Sequence, residues 1–279
     1  MTTSSDNMLP PVADFDDLPV WINDPEFRQP RFEGDPRCRR SVMARLKAIL
    51  SLTDGHRPFR WGFAIVRTAY GPGSDEQFRH AINIINRVAK VWADDEANNV
   101  KENIMYCKDN SAILDHIPVE VDMRPNEEFL RRFENDILED KEALENASSA
   151  AVRAYFKKWI SSKRGTALIG DMRFAACVML DAETLEQFAA VPEGFPRDTQ
   201  EGYRSSYWLK LVDTDPNPDE AVRVRVYGHD DLMKYWFDRN FRQRPMSEMT
   251  HRSDRENPGV LYFGKPRLGM MPRMNLGGW

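Results

Sequence analysis

The chain has 279 residues, 41% of them hydrophobic, which is enough to bury one large core or two modest ones. Its net charge of −5 at pH 7 supplies no general basic field for a polyanion, so nucleic acid is not an expected partner. Three distant cysteines, no secretory leader and no run of about 18 apolar residues together predict a cytoplasmic protein with reduced thiols and no membrane span.

Composition divides the chain into three parts. Residues 1–36 are rich in Asp, Pro and small polar residues, which predicts a disordered or extended N-terminal arm. Residues 37–240 are predicted to form the body, beginning with a short amphipathic helix over residues 38–50. Residues 241–279 lose all sustained periodicity and predict a basic, mostly irregular C-terminal tail in which only residues 260–263 could form a strand.

The first strand of the body is predicted from residue 61 onward. Alternate residues of a strand face opposite ways, so Trp61, Phe63, Ile65 and Arg67 share one side, here named the Trp61 face. Gly62, Ala64, Val66 and Thr68 share the other, here named the Ala64 face. Because small residues suit a closely packed helix, we expect helices on the Ala64 face and an open sheet surface on the Trp61 face.

A glycine turn and a helix follow this strand. Gly71-Pro72-Gly73 precedes Ser74-Asp75-Glu76-Gln77, in which Ser74 and Gln77 match a capping box. The turn lacks the lysine of a P-loop and the third glycine of a dinucleotide fingerprint. Two carboxylates in the first helical turn would also repel a phosphate. The glycines are therefore predicted to form only a tight turn.

The strand, cap and helix pattern recurs farther along the chain. Residues 172–180 read as a strand, Asp181 as a helix N-cap, and residues 206–212 and 221–227 as two more strands. Two β-α-β units with antiparallel neighbours predict an α+β fold, specifically a ferredoxin-like sandwich with extra helices. The alternative is a doubly wound parallel sheet, which is disfavoured because the predicted strands alternate apolar and charged residues.

The Trp61 face is the predicted ligand-binding surface, through Trp61, Phe63, Arg67 and Arg173. Later strands could add further rings and cations, namely Trp208, Lys210, Arg223, Arg225 and Tyr227. Aromatic rings among cations bind planar anions or acidic partners. The alternative is structural: the tail, the arm or a second copy covers this face.

Other chemistry has few candidates. The five histidines never stand at a local metal-ligand spacing, so neither a metal nor a cofactor is expected. Cys177 lies in an apolar strand and is predicted to be a core residue. If Arg67 held a carboxylate or enolate, the candidate proton carriers would be His80, Tyr70 and Glu134.

The string Trp61-Gly62-Phe63-x-Ile65-x-Arg67-Thr68-x-Tyr70 resembles an uncharacterised family of filamentous-fungal proteins. The resemblance covers about residues 59–213, including an aromatic helix near residues 152–159. It implies a fungal, intracellular protein. The family has no established activity, so it assigns no catalytic residue here.

Two functions follow as hypotheses. The first is a noncatalytic protein that binds a small anionic molecule or a protein partner on the open sheet face. The second is a cofactor-free enzyme of the ferredoxin-like dimer type, acting as an accessory in secondary metabolism. A homodimer is therefore left open, and the two hypotheses differ in whether Arg67 lines an enclosed pocket.

Overall fold

The computed structural model describes residues 61–110, 122–163, 174–196, 207–216, 219–226, 232–240, 245–252 and 261–263. The predicted arm, the helix over residues 38–50 and Arg173 lie outside the described residues. The elements, in chain order, are β1 (Ala64–Arg67), α1 (Ser74–Asn110), α2 (Arg124–Arg131), β2 (Asp136–Leu138), α3 (Lys141–Leu144), α4 (Ser149–Lys163), β3 (Ala176–Leu180), α5 (Ala182–Ala189), β4 (Trp208–Asp213), β5 (Val222–Arg225), α6 (Leu232–Asn240), α7 (Met246–Met249), β6 (Thr250–Arg252) and β7 (Leu261–Phe263).

The described strands form one mixed sheet in the order β2-β1-β3-β4-β5-β7-β6. β2, β1 and β3 run parallel, whereas β4 is antiparallel to both β3 and β5. β7 lies parallel to β5 and antiparallel to β6. The α+β class is thus confirmed, and the sheet extends beyond residue 240 into the segment predicted as mostly irregular.

Helices pack on both faces of the parallel strands. Beneath α1, α5 and α6, the Trp61 face buries Trp61, Phe63 and Ile65 completely. On the other face, Ala64 and Val66 pack with residues of α3 and α4. A strand with apolar residues on both sides is buried on both sides.

The expectation of an open Trp61 face is therefore wrong for β1. Its large side chains meet the apolar stripe of α1 and the ring of Trp236 on α6, which lies edge-on to Phe63 with centroids 4.7 Å apart. The ferredoxin-like topology is not confirmed, because a two-layer sandwich leaves one sheet face without helices.

Gly62 allows the chain after α2 to approach the start of β1. A β-carbon at Gly62 would lie 2.0 Å from the backbone oxygen of Glu134 and 2.6 Å from its carbonyl carbon. The Glu134 N–H donates to the Trp61 oxygen at 2.7 Å across the same contact. Glycine at this position is thus required by close backbone packing, and not by a helix lying on the sheet.

Asp213, the last residue of β4, connects the two helical layers. Its carboxylate is fully buried and accepts hydrogen bonds from Nε and Nη2 of Arg239 on α6, the latter at 2.9 Å. Nε of Arg153 on α4 donates to the Asp213 backbone oxygen at 2.8 Å. Buried charges of this kind are stable only when they are paired.

Among the described residues, no helix combines the length and the apolarity that crossing a bilayer requires.

Candidate functional site

The carboxyl ends of β1 and β2 are where the sheet topology favours a ligand-binding site. After β1 the chain passes to α1 on the Trp61 face, whereas after β2 it passes to α3 and α4 on the Ala64 face. Adjacent parallel strands whose following helices lie on opposite faces leave a crevice between their carboxyl ends. Arg67 and Glu139 border this crevice.

Arg67 is the centre of a cluster named here the Arg67 cluster, which comprises Arg67, Tyr70, Ser74, Asp75 and Glu139. Nε of Arg67 donates to the Ala69 oxygen, Nη1 to Glu139 Oε1 and Nη2 to Ser74 Oγ, each at 2.8 Å. Nη2 also donates to Asp75 Oδ1. The Arg67 side chain is only 6% exposed, but the Asp75 side chain is 85% exposed.

The predicted capping box is not formed. The Ser74 hydroxyl accepts from Arg67, and the Gln77 N–H donates to the Gly73 oxygen at 3.4 Å. The helix nevertheless begins within one residue of the predicted position, with Ser74 as its first residue and Asp75 and Glu76 in its first turn. The Ser74 hydroxyl thus bonds to Arg67 in place of the predicted bond with the Gln77 N–H.

Two aromatic rings enclose the guanidinium. Its central carbon lies 4.7 Å from the centroid of the Tyr70 ring and 4.9 Å from that of Phe78. Burial on its own would lower the pKa of Arg67, but its hydrogen bonds with Asp75 and Glu139 outweigh burial and raise the pKa. The hydrogen bond and charge of Arg67 in turn hold the pKa of Asp75 below its ordinary value. Both groups are charged at neutral pH.

Tyr70 lies beside Arg67 and links it to the start of α3. Its hydroxyl donates to the Arg67 backbone oxygen at 3.1 Å and accepts from the Asp140 N–H at 3.0 Å. Burial raises the pKa of Tyr70, so the phenol stays protonated at neutral pH. It can donate a proton or a hydrogen bond there, but it is a poor base.

The other predicted proton carriers are not drawn into this cluster. Glu134 precedes β2, whereas Glu139 follows it, so the two lie at opposite ends of the strand, about 16 Å apart along the chain. His80 is half-buried on α1, and no hydrogen bond between described residues joins it to Arg67 or Tyr70. Of the predicted site residues, the structure brings together Arg67 and Tyr70.

Trp61 and Phe63 lie in the core and offer no surface to a ligand in this structure. Both side chains are 0% exposed. Trp61 Nε1 donates to the Phe129 oxygen, and the two rings stack with centroids 4.1 Å apart. Their size and apolarity are explained by packing.

A second group of charged side chains, which the sequence offered as possible additions to the Trp61 face, lies on the opposite face. The register pairs Val66 with Met179 and Met179 with Lys210, so Lys210 lies on the Ala64 face, away from the Arg67 side chain. The members of this group, named the Lys210 cluster, are Asp181, Glu183, Trp208, Lys210 and Arg223.

Ion pairs and stacking hold the Lys210 cluster together. Glu183 accepts from Lys210 at 2.8 Å and from Arg223 at 2.7 Å, and the Arg223 guanidinium lies 3.7 Å above the centroid of the Trp208 ring. Lys210 also pairs with Asp181, the confirmed N-cap of α5. Burial acts to raise the pKa of Asp181, but hydrogen bonds from Lys210 and Thr184 outweigh it and lower the pKa. The cations of this cluster are already neutralised within it.

The described part of the chain offers no cluster of metal-binding side chains, and the thiol of Cys177 is inaccessible. No three His, Cys, Asp or Glu side chains there stand close enough to hold a metal ion. Cys177 is fully buried in β3, and burial strongly raises the pKa of its thiol. A buried thiol of this kind is a core residue and not a nucleophile.

No family model, no curated protein sequence and no solved structure matches the chain. The candidate site therefore rests on its geometry.

Proposed function

We propose that the protein binds a small carboxylate-bearing molecule, without catalysing a reaction on it, at the carboxyl ends of β1 and β2. Arg67 is the anion-binding residue. The observation that carries the proposal is a contrast in exposure: the Arg67 side chain is 6% exposed, whereas that of its counter-ion Asp75 is 85% exposed. The cation is held in place by the fold, but one of its partners stands in water.

An incoming carboxylate can take the place of Asp75 at little cost. Ion pairs with exposed partners contribute little to stability, because water screens them and solvates the released carboxylate. The exchange leaves the bonds from Arg67 to the Ala69 oxygen and to Ser74 in place. The guanidinium therefore stays oriented while its outward N–H groups change partner.

The chemistry of the surroundings favours a carboxylate over a phosphate. A planar carboxylate matches the fork of a guanidinium. Glu76 and Asp140 lie near the site, so a dianion meets more repulsion than a monoanion. The rings of Tyr70 and Phe78 provide apolar walls for the body of a small ligand.

The enzyme hypothesis has weaker support at this site. It requires a base next to the anion held by Arg67. Of the predicted proton carriers, Tyr70 is the one that contacts Arg67, and its raised pKa keeps it protonated. A binding role requires only the charge, the hydrogen-bond donors and the access that the exposed Asp75 side chain indicates. Binding is therefore the better-supported function.

Isothermal titration of the full chain with a panel of small monocarboxylates tests the proposal. Asp75→Asn removes the competing carboxylate and is expected to tighten binding a few-fold. Glu76→Gln is the matched control, because it removes the same charge one residue along the helix without removing a contact of Arg67. Arg67→Lys is expected to abolish binding. The proposal is wrong if neither the wild type nor Asp75→Asn binds any carboxylate of the panel.

A further inference from the structure

β2 forms one edge of the sheet, and among the described residues no strand lies outside it. Asp136 pairs with Ala64 of β1, and its N–H donates to the Phe63 oxygen at 2.9 Å. In a parallel ladder alternate residues direct their N–H and C=O groups to the same neighbour. Asp136 and Leu138 thus face β1, and the N–H and C=O of Ile137 point away from it.

The side chain of Ile137 is exposed at the same place. It is 41% exposed, although most large apolar side chains of the described residues are buried. An added strand needs outward backbone groups for hydrogen bonding and a nearby apolar contact for specificity. Ile137 provides both at the centre of β2.

The surroundings of β2 are strongly acidic. Residues 134–145 contain six carboxylates and one lysine, so this short segment carries a net charge as large as that of the whole chain. Glu139 and Asp140 are engaged with Arg67 and with the start of α3, whereas Glu142 and Glu145 are exposed. The charge favours a basic partner. It also disfavours a second copy, because pairing β2 with β2 would place like charges opposite each other.

Acidic residues also protect edge strands from aggregation, and a short charged edge is a common protective device. If the acidic residues served only to prevent aggregation, we would expect a charged residue where the backbone N–H and C=O point away from β1. β2 has the exposed Ile137 at that position. We propose that the β2 edge, defined as the outward side of Asp136–Leu138, accepts a basic, extended segment of a partner protein as an added strand. This surface is independent of the proposed carboxylate site.

Fluorescence anisotropy with a labelled synthetic peptide, in which lysine alternates with valine, tests this proposal on the full chain. Ile137→Pro removes the outward N–H and leaves the bonds from Asp136 and Leu138 to β1 in place, because proline is tolerated where an edge N–H faces solvent. It is expected to weaken binding at least about tenfold. Ile137→Val, the matched control, keeps the N–H and the apolar contact and should bind like the wild type.

A second pair of changes keeps the test informative if Ile137→Pro fails to fold. Ile137→Lys is compatible with an exposed position, and it removes the apolar contact and repels the peptide, so it should also weaken binding at least about tenfold. The double variant Glu142→Gln, Glu145→Gln should bind about fourfold more weakly, with a smaller dependence on salt, since each exposed ion pair is worth roughly twofold.

Several results would overturn the proposal. It is refuted if the wild type does not bind the peptide, or if Ile137→Pro folds and binds as tightly as the wild type. Sedimentation that shows a dimer lost in Ile137→Lys would assign the edge to a second copy instead. Asp75→Asn should bind the peptide like the wild type. This result would distinguish peptide binding at the β2 edge from carboxylate binding at the Arg67 cluster.

Discussion

Replacing Arg67 with lysine keeps the positive charge and removes the planar fork. The hydrogen bonds from Nε to the Ala69 oxygen and from Nη2 to Ser74 Oγ cannot both be reproduced by a single ammonium group. Each such bond contributes about 1 kcal/mol net, so the loss of one or both in Arg67→Lys is expected to lower the free energy of unfolding by about 1 to 2 kcal/mol. The ion pairs add little to this loss, because the side chains of Asp75 and Glu139 are 85% and 46% exposed.

Urea unfolding measures this loss directly. Tryptophan fluorescence is a suitable signal, because Trp61 and Trp236 are fully buried in the native protein. Arg79→Lys is the control, since Arg79 is exposed on α1, and this variant's free energy of unfolding should change by less than about 0.5 kcal/mol. If Arg67→Lys were no less stable than this control, the argument that the fork holds the site together would be refuted.

Three further predictions concern stability and reactivity. Gly62→Ala places a β-carbon against the Glu134 backbone and should cost about 3 kcal/mol or more, measured by thermal unfolding; a change below about 1 kcal/mol would contradict the close contact. The pKa of Asp181 is lowered in the folded state, so its bond with Lys210 stabilises the protein at neutral pH, and this contribution should fade as the pH falls below about 4. Asp181→Asn should flatten that part of a pH series of urea midpoints, and an unchanged slope would count against the assignment. Cys177 should resist iodoacetamide in the native protein and react in urea, as peptide mapping would show; native labelling would contradict its burial.

Much of the fold could be predicted from local patterns. The apolar runs at β1 and β3, the N-cap at Asp181 and a strand close to residues 261–263 are where the sequence indicated them. The expectation of an open Trp61 face was wrong, because small residues on the Ala64 face predict helices there but do not exclude a second layer of helices on the other face. β1 and β3 are apolar on both sides, which is typical of parallel strands between two layers of helices.

The sequence indicated only part of the candidate site, namely Arg67 and not its partner Glu139. Arg67 stood out as a cation that ends an apolar strand, but its partner Glu139 is far away along the chain, and the register that joins them cannot be read from local pattern. A usable signal was present. Arg67, Glu139 and Asp181 each lie at the carboxyl end of a strand, where parallel strands bring side chains together.

Asp213 has a consequence for how the molecule opens. Because Arg239 comes from one side of the sheet and Arg153 from the other, neither helical layer can detach without exposing or breaking a contact of the other layer. Detaching the helices from one face of the sheet therefore also requires part of the free energy needed to detach the helices from the other face. Amide hydrogens beneath α4 and beneath α6 should therefore exchange with solvent through a shared cooperative event, as a single folding unit and not as two.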